Sequence, residues 1–444
     1  MLNSASVIGR YTLTGTVKLT SPLVIRAGVS NDILNDTVDD IVVTYHDGQP
    51  FIPGTSLAGV LRQAIQGLEP VSEDVLFGSI DDKGTQSALQ IDDIPLDNTN
   101  IVVRDGICID NVRGITKDGA KYDFEVIESG ATGRLRIDCV IRQCHENQAD
   151  KIERALVALA NLLKNGISVG ARTVNGLGRI GCKDISLEHY DFTKPEDVKA
   201  WLLRKVGTSV AIPKRRMIAE KDLVIDMECY LEDTVLIKSI FEEAWEDKSV
   251  ALFIPGTSIK GVLRHHCSRI LQALGRSNKA VDALFGYSIE KTNESRKGRV
   301  MVDEVYFDKS FTQEEQPRIR MDRFTGGAMN GALFQDHPVR KGKGKELVFP
   351  LRMTVKDCSD SEAGLVLLLV KDLMTGQITL GANRTIGYGR IKGNSVTVQY
   401  HGESYGIDGT GKVMEGEATK LESLVQALHQ STDDTMLAKE GAHE

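Results

Sequence analysis

One phrase is written twice in this chain: Phe51-Ile52-Pro53-Gly54-Thr55-Ser56-Leu57-Ala58-Gly59-Val60-Leu61-Arg62 returns as Phe253-Ile254-Pro255-Gly256-Thr257-Ser258-Ile259-Lys260-Gly261-Val262-Leu263-Arg264. Asp74-Val75-Leu76-Phe77-Gly78 recurs as Asp282-Ala283-Leu284-Phe285-Gly286, and Gly176-Leu177-Gly178-Arg179-Ile180 as Gly387-Tyr388-Gly389-Arg390-Ile391. The offsets are 202 from Ile52 to Ile254, 208 from Phe77 to Phe285 and 211 from Gly176 to Gly387. Three collinear blocks with so little drift mean a duplicated domain of roughly two hundred residues, because chance matches do not keep their order and spacing.

The length agrees, since 444 residues exceed what a single core usually organises. Hydrophobic residues make up 41% and charged residues 26%, the balance of a soluble globular protein. No apolar run is long enough to span a bilayer, and Met1-Leu2-Asn3-Ser4-Ala5-Ser6 lacks the regions of a signal peptide, so the expected location is the cytoplasm. Seven cysteines without a C-x-x-C pair indicate neither a disulfide framework nor a common zinc site, and His265-His266-Cys267 and Cys144-His145 lack partners at ligand spacing. The net charge of −8 is misleading about partners. Nine acidic residues and three lysines from Gly402 onward account for −6 of it, and basic residues cluster at Lys214-Arg215-Arg216 and from Arg340 to Lys345.

Each copy reads as strand, helix, strands, helix, strand, the order of a ferredoxin-like α+β unit. Arg10 to Leu19 alternates as a half-buried strand. Thr55 or Ser56 is placed to cap a helix whose apolar face is Leu57, Val60, Leu61, Ala64 and Ile65. A second helix with Ile152, Ala155, Leu156, Leu159, Leu162 and Leu163 on one face ends at Asn165-Gly166. In the second copy Leu223 to Leu231 is the first strand, and the helix from Ala363 to Met374 ends at Thr375-Gly376. The expected domains are 1–193 and 217–401, joined by a linker 194–216 and followed by an acidic, largely disordered tail 402–444 in which only Glu417 to Gln430 could hold a helix.

Two further blocks repeat. Gly170, Gly176 and Gly178 match Gly381, Gly387 and Gly389 as a G-x5-G-x-G loop, suited to positive φ or to phosphate held by free N–H groups. Gly176-x-Gly178-x-x-Gly181 also fits the dinucleotide fingerprint, but it leads from a helix into a strand, the reverse of what that site requires. The block Ile109-Asp110-Asn111-Val112-Arg113-Gly114 with Gly119-Ala120-Lys121-Tyr122 matches Met321-Asp322-Arg323-Phe324-Thr325-Gly326 with Gly331-Ala332-Leu333-Phe334, which suits a projecting hairpin that meets a nucleic-acid backbone.

Together these blocks, spanning about residues 8–400, resemble the RAMP superfamily, and specifically the repeating backbone subunit of type III CRISPR effector complexes of antiviral defence. The resemblance implies two modified ferredoxin-like (RRM-like) domains. The helix after I-P-G-T-S and the glycine loop would face guide RNA, and the hairpin would act as a thumb that interrupts the guide–target duplex. It implies guide RNA, target RNA and other effector subunits as partners. The RNA-binding positions it assigns are Ser56, Arg62, Arg113, Arg172, Arg179, Ser258, Lys260, Arg264, Arg323, Arg384 and Arg390.

Members that cut target RNA carry an aspartate in the loop before I-P-G-T-S. Asp39 is the best match, with Asp40 beside it. A carboxylate there could hold a divalent ion, magnesium being the expected cofactor, or position the ribose 2′-hydroxyl for attack on the adjacent phosphate. In the second copy Phe241 takes the matching place, with Asp247 among the nearby carboxylates. The expected function is therefore an RNA-guided endoribonuclease subunit. Its rivals are a scaffold without nuclease activity and a guide-processing endonuclease dependent on a histidine, for which His46 is near in sequence.

Overall fold

The structure is a computed structural model describing residues 5–27, 40–66, 73–79, 84–109, 116–215, 219–246, 251–289, 294–307, 311–340 and 348–431. The chain divides into two compact units, Met1–Thr173 with Leu177–Ala219, and Val174–Gly176 with Glu220–Glu444.

The first unit runs β1 (Val7–Leu19), α1 (Gly54–Ile65), β2 (Leu89–Ile91), β3 (Ile101–Ile109), β4 (Thr116–Ile127), β5 (Thr132–Arg142), α2 (Ala149–Asn165), β6 (Arg179–Asp191), α3 (Pro195–Leu202) and β7 (Thr208–Val210). Its antiparallel sheet has the order β7-β6-β1-β5-β2. The four strands β6-β1-β5-β2 are the ferredoxin-like arrangement, with β7 added at one edge, and β3 and β4 pair with each other as a hairpin inserted between β2 and β5. Alternation in β1 turns Tyr11, Leu13, Val17 and Leu19 into the core with Leu57 and Leu61 of α1 and Ile152, Leu156 and Leu159 of α2. Leu57 and Leu61 are fully buried, each contributing about 2 kcal/mol.

The second unit repeats the plan with β8 (Leu223–Leu231), α4 (Gly256–Ala273), β9 (Val300–Val302), β10 (Gln316–Met321), β11 (Ala328–Asp336), β12 (Val348–Val355), α5 (Asp360–Met374), β13 (Ile391–Tyr400), β14 (Glu403–Asp408), β15 (Val413–Glu415) and α6 (Ala418–Gln430). Its sheet order is β9-β12-β8-β13-β14-β15, and β10 pairs with β11 as the second inserted hairpin.

Three expectations are corrected. Neither Thr55 nor Ser56 caps α1: Pro53 stands at the cap with φ −59° and has no side-chain acceptor to offer the first turn. The Gly54 N–H donates instead to the Asp93 carboxylate at 2.8 Å, and a Cβ on Gly54 would lie 2.2 Å from the Ile91 carbonyl oxygen. The segment 194–216 is more than a linker. Pro195, Glu196 and Asp197 open α3 as a favourable first turn, and β7 adds a strand to the sheet. Residues 403–430 are largely folded rather than disordered: β14 and β15 extend the sheet, and α6 buries Leu421, Leu424 and Leu428. β14 pairs with the strand just before it, Tyr400 facing Glu403 across His401 and Gly402, a tight hairpin that an acidic composition does not reveal.

Candidate nucleic-acid interface

The two glycine loops are held by the same backbone bonds. The Ala171 N–H donates to the Val24 carbonyl at 2.7 Å and the Gly178 N–H to Pro22 at 2.6 Å; the Ala382 N–H donates to Leu236 at 2.8 Å and the Gly389 N–H to Thr234 at 2.6 Å. Gly178 and Gly389 have φ of +77° and +79°, and a Cβ on either would meet the Val169 or Leu380 carbonyl oxygen at 1.9 or 1.8 Å. These glycines are demanded by the close approach of the loop to its own strand.

Each hairpin base is tied to its glycine loop by a cation over an aromatic ring, with the partners exchanged between copies. In the first copy the cation is on the loop. The Arg172 guanidinium lies 4.6 Å from the Tyr122 ring centre and 4.3 Å from that of Phe124, donates to the Tyr122 hydroxyl at 3.0 Å, and pairs with Asp40 at 3.1 Å. Arg26 holds the other Asp40 oxygen at 3.0 Å, while the Asp40 carbonyl accepts from the Glu125 N–H at 2.8 Å. In the second copy the cation is on the hairpin. Arg318 lies 4.9 Å from the Tyr388 ring centre, donates to its hydroxyl, and stands 3.3 Å from the buried Asp336 carboxylate. Asn383, left-handed like Arg172, donates to Asp336 at 3.0 Å.

The expected phosphate-facing residues divide accordingly. Arg62 pairs with Asp74 at 3.5 Å and Arg264 with Asp282 at 2.5 Å, so both tie the I-P-G-T-S helix to the following L-F-G segment. Arg172 is engaged as above. Arg390 pairs with Glu232 at 3.5 Å, and the half-buried Arg179 opens β6. Ser56 and Ser258 are half-buried in the first turns of α1 and α4. Arg384 is exposed on its loop, and Arg323 is exposed at the tip of the second hairpin beside Phe324, which is 99% exposed. Lys260 is buried. Desolvation, with repulsion from Arg264 and Lys297, lowers its ammonium to about 8. Burial, then Arg269 and Arg384, holds the neighbouring His265 below its ordinary value. The second copy thus gathers Lys260, Arg269 and Arg384 around helix α4 and its glycine loop.

Asp39, Arg113 and Asp247 lie outside the described residues. Asp40 is described, and its carboxylate is taken by two arginines. Phe241, which stands at the place of Asp39 by its spacing to I-P-G-T-S, is fully buried in the helix Lys238–Glu246. His46 lies in an exposed turn. Sequence reading missed Arg26, Arg318 and Asp336. Arg318 precedes the repeated hairpin block and Asp336 follows it, but what makes them partners is the hairpin register. Among the described residues no group of three or more His, Cys, Asp or Glu side chains is placed to hold a metal, and Asp40 with both oxygens engaged does not fit one.

No helix among the described residues is long and apolar enough to cross a membrane. Comparison with curated proteins finds no match. The sequence pattern of the RAMP superfamily matches residues 16–181 and again 239–392, one match in each repeated half. The chain belongs to the RAMP superfamily of CRISPR-associated RNA-binding proteins, as two fused copies.

Proposed function

We propose that this chain is a fused backbone subunit of a type III CRISPR complex, in which each copy holds one segment of guide RNA in concert with other effector subunits. The observation that carries the reading is the repeated coupling of hairpin base to glycine loop, Arg172 with Tyr122 and Phe124, and Arg318 with Tyr388. Two side-chain solutions to one geometric requirement suggest that both hairpins must be held at a fixed angle, as two thumbs on one guide require. Affinity would come from Lys260, Arg384 and Arg323 on the RNA backbone, while base pairing supplies sequence information. Nuclease footprinting of a guide RNA on the chain tests this. Two protected steps per chain are expected; a single step overturns the fused-subunit reading.

A second reading adds cleavage of target RNA by the first copy. It is favoured by the asymmetry at the matching positions, since Phe241 is core and cannot do polar chemistry whereas the first copy keeps acidic residues there. Asp39 is the proposed reacting-site residue, positioning the 2′-hydroxyl in line with its phosphate. Asp40 is assigned to holding the hairpin. Loss of one cut in the target on Asp39→Ala, with binding retained, supports this; unchanged cutting leaves the chain a scaffold. Guide processing through His46 finds no support in its exposed turn.

A further inference from the structure

We propose that the open face of the first sheet, away from α1 and α2, is a second binding path for single-stranded RNA. The inference rests on the reading of the chain as an RNA-binding subunit. It concerns none of the repeated motifs. On the open face of β1, Arg10 lies over the Trp201 ring and Thr12 donates to Asp138; Thr14, Thr16 and Lys18 follow, and the register sets Arg136 and Ser186 beside Thr14, Arg134 and Lys183 beside Thr16, and Thr132 and Gly181 beside Lys18. Lys18, Arg134 and Lys183 are exposed, and among the described residues no ion pair engages them.

A bulge between Thr14 and Thr16 shifts the register against β6, where Asp184 takes φ +53°. It opens a shallow cavity of about 320 Å³ lined by Thr14, Gly15, Thr16, Arg134, Arg136 and Asp184, among others. Arg136 is already committed to Asp138 at 2.8 Å and Arg10 to the Trp201 ring, which leaves Lys18, Arg134 and Lys183 as the cations of this face that no ion pair engages among the described residues. Strand spacing sets Lys183 and Arg134 about 10 Å apart across Thr16, with small hydroxyl side chains between, a shape open to a phosphate backbone.

The second copy shows that this charge is not imposed by the fold. Its first strand carries Asp226, Glu228 and Tyr230 at the places of Thr14, Thr16 and Lys18; Arg352 keeps the place of Arg136, but Pro350 and Ser395 stand where the first copy has Arg134 and Lys183. Those acids are used within their own sheet: Asp226 pairs with Arg352 at 3.3 Å, and Glu228 accepts from Asn394 at 2.6 Å. They offer no free acidic face for another copy to dock through, which favours a polyanion over a second chain as the occupant.

The test uses the full chain and a labelled oligouridylate. Substituting Lys18→Ser, Arg134→Ser and Lys183→Ser together is expected to weaken binding about tenfold and to lower the slope of log affinity against log salt by about 2, at about 0.7 for each lost contact with a single strand. On the unsubstituted chain, RNA is expected to shield Lys18 and Lys183 from amine acetylation, a readout independent of how the variant folds. If RNA binds and shields Lys260 but leaves Lys18 and Lys183 as reactive as before, the second path is overturned and the RNA-binding reading stands. If the chain binds no RNA, both fall. If raising the protein concentration alone shields the two lysines, the face is a protein interface and the proposal is overturned.

Discussion

Arg264 of the repeated helix donates to Asp282 of the repeated L-F-G block at 2.5 Å, and Arg62 stands 3.5 Å from Asp74 at the matching place in the first copy. The same arginine and the same aspartate, 12 residues apart in the first copy and 18 in the second, thus meet in both. Arg264 also donates to the Gly286 carbonyl, so its guanidinium ties the middle of the short helix Lys279–Phe285 to the glycine that ends it. Arg264→Ala is expected to lower stability by about 1–2 kcal/mol, and Arg62→Ala, whose pair is longer and more exposed, by at most about 1 kcal/mol. Urea unfolding measures both. RNA affinity should change by less than the Arg384→Ala variant shows; the reverse order would return Arg264 to the phosphate-facing set.

The glycines of the second loop separate geometry from ligand. Gly389→Ala places a Cβ 1.8 Å from the Leu380 carbonyl oxygen, so the loop must leave β13; a loss of about 3 kcal/mol or more is expected. Gly387 has φ +96° but no atom within 4 Å of a new Cβ, so Gly387→Ala should cost only the left-handed strain of about 1–2 kcal/mol. Equal melting temperatures for the two variants would refute the close-approach argument.

Lys260 makes stability depend on alkaline pH. Its folded ammonium titrates near 8 rather than at the ordinary 10.5, so between these values the unfolded chain holds the extra proton and stability rises with pH. Lys260→Met should remove that rise and stabilise the fold at neutral pH. RNA phosphate against Lys260 would favour the charged form, so binding by the unsubstituted chain should weaken as pH passes about 8 while the variant's stays flat. Urea titrations and binding isotherms at about pH 7 and about pH 10 test both signs.

Asp39 and Asp40 are adjacent in sequence and are expected to differ in kind. Asp40→Ala leaves Arg26 and Arg172 without their shared carboxylate and should speed amide exchange at Phe124 and Glu125, lowering the melting temperature. Asp39→Ala should leave melting and exchange unchanged while removing one cut in the target. A shared phenotype would show that both act on the fold.

The duplication, the ferredoxin-like order and the ends of α2 and α5 were legible in the sequence, because repeated blocks and helical or alternating apolar spacing are local signals. Sequence reading starts α5 three residues late, at Ala363, because it passes over the capping box of Ser359 and Glu362. The sequence also placed the motifs, but not the partners of their charges. Arg62, Arg172 and Arg264 look alike as cations beside repeated glycines; the tertiary structure alone shows Asp74, Asp40 and Asp282 neutralising them. The exchange of cation and ring between Arg172 with Tyr122 and Arg318 with Tyr388 has no pattern at any single aligned position, since Asn383 stands at the place of Arg172 and Phe334 at that of Tyr122. The cationic face of Lys18, Arg134 and Lys183 depends on three strands in register, a fact no linear window contains. Local periodicity is written along the chain, whereas ion pairing and charge clustering are set by distances between residues that only the folded sheet brings together.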